Sequence, residues 1–199
     1  MLDSSYNTKL GDFGLAKLID HGKGSQTTKN VLGTAGYIDP EFVNTRRPST
    51  QSDIYSFGVV LLELVSGRPP VVLHEDAPPF ILLKWVWGFY GRNATIDAAD
   101  ERLRSGAEDN ERQIERALVV GLWCAHPDQN GRPSSIAQAM HVLQSDDAKL
   151  PALSPQMYMA SPGNFAVGDY SLSGISSSNS GVPSSATTGT TRSSGSFAN

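Results

Sequence analysis

The sequence predicts a mainly α-helical domain, entered through a long irregular loop and followed by a low-complexity tail. Three observations carry this. STQSDIYSFGVVLLELVSGRPP holds apolar residues at helical spacing, EDNERQIERALVVGLWCAHP holds a second amphipathic repeat, and hydrophobic patterning stops near Leu150. A chain of 199 residues is enough for one domain plus a tail, here 1–149 and 150–199.

Taken in order, residues 8–11 read as a short strand running into the turn Asp12-Phe13-Gly14. From Leu15 to about Phe42 the periodicity is lost and Gly, Ser, Thr and Lys accumulate, giving a long loop of the kind that carries function. The next segment places Ile54, Phe57, Leu61, Leu64 and Val65 on a helical stripe, with Val59, Val60 and Leu62 filling most of the remaining face. A helix apolar nearly all round is a buried central one. Thr50 or Ser52 can cap its start, Gly67 its end, and Pro69-Pro70 prevents its continuation.

Pro78-Pro79 opens a second helix, FILLKWVWGFYG, which stops near Gly91, and DAADERLRSG forms a short helix ending at Gly106. The long amphipathic helix sets Ile114, Ala117, Leu118, Gly121, Leu122 and Ala125 on one face, and Pro127 closes it. Ser134 or Ser135 caps the last helix, with Ile136, Met140 and Leu143 as its buried positions. Beyond Leu150 only Asp169 and Arg192 are charged, and Ser, Gly and Thr dominate. Such a composition cannot bury enough apolar surface to offset its chain entropy, so the tail is expected to be disordered.

Composition narrows the function. A net charge of −4 speaks against a nucleic-acid or anionic-membrane surface. The single cysteine, Cys124, excludes an intrachain disulfide and suits a reducing compartment. Met1-Leu2-Asp3-Ser4 has neither region of a signal peptide, and the most apolar run, Ile54 to Val65, is interrupted by Glu63 and is too short to span a bilayer. The expectation is a cytosolic location for these residues and no membrane contact of their own.

Four motifs then appear in a fixed order: DFG, GTAGYIDPE (Gly33 to Glu41), SDIYSFGVVLLEL and CAHPDQNGRPS (Cys124 to Ser134). Together they resemble the C-terminal part of a eukaryotic protein kinase domain. LLKWVWGFYGRNATIDAADERL and ALVVGLWCAHPDQNGRPS are most similar to plant receptor-like kinases of the L-type lectin-domain group. The resemblance covers residues 1 to about 150. It implies a partial protein-kinase-like fold, with an activation segment and a helical C-terminal lobe but no N-terminal lobe. It also implies ATP and Mg²⁺ as the family's cofactors, serine or threonine of proteins as acceptor, and a plasma-membrane receptor with its kinase domain on the cytoplasmic side.

By that resemblance Asp12 is the magnesium ligand, a hard carboxylate oxygen of the kind Mg²⁺ takes. Phe13 packs to set an active or inactive position, and Gly14 lets the backbone turn. Leu15 to Ile38 corresponds to the activation segment, with Ser25, Thr27 and Thr28 as phosphorylation candidates and Lys23 or Lys29 as a local partner. Thr34 faces the substrate hydroxyl and favours serine or threonine. Asp39-Pro40-Glu41 replaces the usual A-P-E, Asp39 being the departure at the least demanding of the three positions. Glu41 is expected to pair with Arg132, fastening the activation segment to the helical base. Asp53 is either the central-helix carboxylate that accepts catalytic-loop backbone hydrogen bonds or a plain first-turn carboxylate favoured by the helix dipole.

Phosphoryl transfer also needs a glycine-rich loop, a strand Lys with a helix Glu, and the Asp and Asn of an H-R-D-x-x-x-x-N loop. None is found in these 199 residues, and Asn7 is too close to DFG to be that Asn. The chain on its own is therefore expected not to transfer phosphate. Part of the Ile54–Leu64 surface should be uncovered and engage a kinase, a substrate or a second copy. A non-catalytic binding module and an unproductive truncated gene product are the competing readings.

Other signals are weaker. Gly22-Lys23-Gly24 lacks the third glycine of a nucleotide loop, and Cys124 with His126 supplies only two ligands for zinc. Asn93-Ala94-Thr95 matches a glycosylation acceptor that would face the cytosol, and Trp85, Trp87 and Trp123 read as packing residues.

Overall fold

A computed structural model describes residues 3–11, 13, 33–104 and 108–154. The elements in order are α1 (Pro40–Thr45), α2 (Thr50–Ser66), β1 (Val71–Val72), β2 (Phe80–Ile81), α3 (Leu82–Tyr90), α4 (Glu108–Cys124) and α5 (Ile136–Gln144). Single 3-10 turns lie at Thr95–Ala98, Glu101–Leu103 and Gln129–Gly131. The predominance of helix and the helical base agree with the kinase-like fold expected from the sequence.

α2 is the centre of the described domain. Ser49, rather than Thr50 or Ser52, caps it by accepting a hydrogen bond from the Ser52 backbone N–H. Gly67 ends it at φ +67°, a left-handed conformation that suits glycine. Its buried face is Ile54, Tyr55, Gly58, Val59, Leu62 and Val65. This face is rotated from the stripe expected through Phe57, Leu61 and Leu64, and Leu64 is 70% exposed. The rotation has a local cause. α4 crosses at Gly58, where an added Cβ would stand 2.6 Å from the Ala125 nitrogen and 2.7 Å from the Gly121 oxygen. Two glycines facing each other let the backbones approach closely, and the approach fixes which stripe turns inward.

One core cluster joins α2, α3 and α4 through Leu62, Leu82, Val86, Trp87, Leu118 and Leu122, and a second joins Ile54, Val120, Cys124, Ala139 and Val142. The buried set of α4 contains Ile114, Leu118, Gly121 and Leu122 as expected. α5 is capped by Ser135, but its buried residues are Ala139 and Val142, while Ile136 is 44% exposed. The expected phase was off by about one residue because α5 spans little more than two turns, so burial is decided by its neighbours.

Three further expectations are corrected. Residues 8–11 form no strand beyond a single bridge residue at Thr8. Phe80-Ile81 does not open a helix; it pairs antiparallel with Val71-Val72, and helix begins only at Leu82. The short helix expected in DAADERLRSG is replaced by 3-10 turns, with Asp100 capping the second by accepting from the Arg102 N–H. α1, which begins inside the stretch read as loop and runs past its end, is started by Asp39 as N-cap and Pro40 at its first position. At the other end, Leu153 packs on the core and its N–H donates to the Tyr90 hydroxyl, 3.0 Å away. Tail residues 155–199 lie outside the described residues.

Candidate functional site

The segment from Gly33 to Asp39 is pressed onto the side of α2. At Gly36 φ is +92°, and an added Cβ would meet Pro70 Cβ at 2.9 Å, so both conformation and space call for glycine. The Tyr37 hydroxyl donates to Glu63 Oε2 at 2.6 Å, and the Ser56 hydroxyl donates to the Tyr37 carbonyl at 2.7 Å. Burial, and then the Glu63 carboxylate beside it, push the Tyr37 phenol up to about 12. Thr34 is exposed, and its carbonyl accepts from the Tyr37 N–H.

Below this segment lies a fully buried ion pair. Arg132 Nη2 is 2.8 Å from Asp39 Oδ1 and Nη1 is 3.0 Å from Asp39 Oδ2, and both side chains are 0% exposed. The carboxylate also accepts from the Ser52 hydroxyl at 3.0 Å and from the Glu41 backbone N–H at 3.1 Å. Arg132 Nε donates to the His126 carbonyl at 2.8 Å and Nη1 to the Gln51 carbonyl at 3.1 Å. The guanidinium lies 5.0 Å over the Tyr55 ring. A buried charge pair is tolerable when its remaining donors and acceptors are satisfied, and here they are.

The expected partner of Arg132 was Glu41; the structure gives it Asp39 instead. As N-cap of α1, Asp39 sits where its short side chain reaches both its own helix and Arg132, while Glu41, in the first turn of α1, stays partly exposed. The residue read as an undemanding departure therefore carries the anchor. Its cap role was legible in the sequence, because Asp before Pro-Glu is an N-cap pattern, but its pairing with Arg132 was not.

The other expected site residues are less constrained. Phe13 is 64% exposed and Leu10 is 87% exposed, so Phe13 does not pack as the resemblance implied. Among the described residues, the hydrogen bonds of this stretch centre on Asp3, whose carboxylate accepts from the Ser5 and Asn7 backbone N–H groups. Those bonds hold its carboxyl below the usual carboxylate range. Asp12, Gly14, Ser25, Thr27 and Thr28, with Lys23 and Lys29, lie outside the described residues. Asp53 stands exposed in the first turn of α2, without a hydrogen bond or ion pair to any described residue. Partial desolvation by surrounding protein raises its pKa. Both of its readings place it in this first turn.

Cys124 is buried, and burial pushes its thiol up to about 12 against the opposing influence of Arg132, which leaves it protonated and unreactive. His126 Nδ1 lies 3.1 Å from the Asp128 backbone nitrogen and is used in that turn. Trp85 packs between Phe80 and Phe89, and Trp87 against Tyr90 and His126, in keeping with packing roles. Among the described residues no helix is long and apolar enough to cross a membrane.

Comparison with known proteins agrees with this geometry. The family model for the protein kinase domain matches residues 1–145. L-type lectin-domain containing receptor kinase IX.1 of Arabidopsis thaliana is 51% identical over 162 residues, covering 80% of this chain and 24% of that protein. L-type lectin-domain containing receptor kinase IV.1 of the same plant is 41% identical over 182 residues, covering 90% of this chain and 26% of that protein. For L-type lectin-domain containing receptor kinase S.1 the identity is 48% over 134 residues, 67% of this chain and 20% of that protein. The chain thus spans about a quarter of the length of the curated relatives it matches.

Proposed function

We propose a role that proceeds from one premise: this chain belongs to the protein kinase domain family. It represents the lower part of the catalytic domain of a plant receptor-like kinase that transfers phosphate from ATP to serine or threonine of proteins. The parent receptor resides in the plasma membrane with this part on the cytoplasmic side. The observation that carries the reading is the buried Asp39–Arg132 pair, which joins GTAGYIDPE to CAHPDQNGRPS across 93 residues of sequence. Two of the four motifs that carry the resemblance are thereby one physical unit.

In this reading the chain's residues act by positioning. Asp39, Arg132 and Ser52 fix the end of the activation segment, and Tyr37 with Glu63 and Ser56 fixes the turn before it. Exposed Thr34 is then presented from a rigid base to an acceptor hydroxyl. Mg²⁺, when bound, would be held by Asp12, whose donor chemistry suits it, and would neutralise phosphate charge. One carboxylate is a small part of the set that phosphoryl transfer requires, and the 199 residues alone are expected to be inactive.

Titration of the 199-residue chain with Mg·ATP by calorimetry tests this, paired with a transfer assay on serine and threonine peptides using a longer product that includes upstream residues. The expected result is no micromolar nucleotide affinity for the first and transfer by the second. Phosphate transfer by the 199 residues alone, or none by a longer product carrying the missing loops, overturns the reading.

A further inference from the structure

α3 presents a half-buried aromatic face whose inner edge packs on the core and whose outer edge is bordered by exposed cations. At about 100° per residue, Trp85, Gly88, Phe89 and Arg92 fall on one side, opposite the buried Leu83, Val86 and Trp87. The rings and guanidinium groups on it form a continuous row. The Arg68 guanidinium lies 4.6 Å over the Trp85 ring, Trp85 and Phe89 pack edge to face at 4.9 Å, and the Arg92 guanidinium lies 4.9 Å over Phe89. Arg68, Lys84 and Arg92 are exposed, and among the described residues none makes an ion pair. The Arg68 charge is felt by Asp100, a carboxylate already held by Arg102.

Gly88 is the second observation. It sits inside a nine-residue helix, where glycine is less stable than alanine. At Gly58 and Gly121 packing explains the glycine; at Gly88 an added Cβ would meet nothing within 4 Å. Neither conformation nor internal packing calls for glycine there, and its effect is a notch between the Trp85–Phe89 pair and Lys84.

We propose that this face, Arg68, Lys84, Trp85, Gly88, Phe89 and Arg92, docks a carboxylate-rich protein segment that seats one apolar side chain over Gly88. Three exposed cations that make no ion pair among the described residues select an acidic occupant, half-buried aromatics supply the apolar floor, and the notch admits a side chain between them. The inference stands apart from phosphoryl transfer. Its readout needs no nucleotide, so its failure leaves the kinase reading intact, and loss of that reading leaves this surface intact.

The probe is a short synthetic peptide of Asp and Glu around a central leucine, added to the full 199-residue chain and followed by tryptophan fluorescence and peptide polarisation. The expected result is saturable binding that weakens with salt, about tenfold weaker for Arg92→Glu. Gly88→Gln should weaken binding by a similar factor while leaving the melting temperature unchanged or higher, an outcome that a purely structural glycine would not give. No binding at low salt, equal binding of the peptide with lysines in place of its acids, or indifference to both substitutions overturns the proposal. Concentration-dependent self-association abolished by Arg92→Glu would assign the face to a second copy, and that too overturns it.

Discussion

Two stretches of this chain carry kinase motifs, and their described residues are embedded very differently. Around DFG, the described residues expose Leu10 and Phe13, and hydrogen bonds gather locally on Asp3. Around GTAGYIDPE, Asp39 is 1% exposed and is held by α1, Ser52 and an arginine 93 residues away. Motif strength in the sequence is thus no measure of structural commitment. A short polar or apolar motif becomes rigid only where distant elements close around it, since only long-range burial offsets the entropy of ordering a segment.

The largest effect separating the two stretches should come from Arg132→Ala. Leaving the Asp39 carboxylate buried and unpaired should cost about 3–5 kcal/mol in urea unfolding. Glu41→Gln should stay within roughly 0.5 kcal/mol. If the Glu41 substitution matched the Arg132 one, the assignment of Asp39 as anchor would be reversed. Gly58→Ala comes next, at about 1–3 kcal/mol, because its methyl must displace α4 backbone. The reciprocal Gly121→Ala, which runs into Leu62, should behave alike.

A third test uses pH. Tyr37 is raised from 10.0 to about 12 and Cys124 from 9.0 to about 12, so the folded state holds these protons longer than the unfolded chain. Their contribution to stability is complete below pH 9.0 and declines as pH rises toward 12. Tyr37→Phe should remove the part of this alkaline loss that begins near pH 10.0, and an unchanged profile would show that the Tyr37–Glu63 contact is not maintained in solution. Smallest of all, Phe13→Ser should change stability by no more than about 0.5 kcal/mol. A larger loss would mean that the DFG stretch is as deeply embedded as the Asp39 region.

Much of the helical base was legible because its signals are local. The amphipathic repeat of α4, Gly67 as a left-handed stop and Ser135 as a cap are short-range features that backbone geometry enforces wherever the chain lies. The β1–β2 pairing was not legible, since two strands of two residues carry no periodicity. Nor was the inward face of α2, whose sequence is apolar on nearly every side and so leaves rotation open.

By itself, then, the sequence determined the order of α2 to α5, the stops of α2 at Gly67 and of α3 near Gly91, and the membership in the kinase family, since glycine stops, periodicity and motif order are properties of neighbouring residues. The tertiary structure alone decided that Asp39 rather than Glu41 holds Arg132, that Gly58 meets α4, and that Leu64 stays in water. Each of these depends on where segments tens of residues apart come to rest. Their relative placement is settled by close packing of whole faces, which no local pattern specifies.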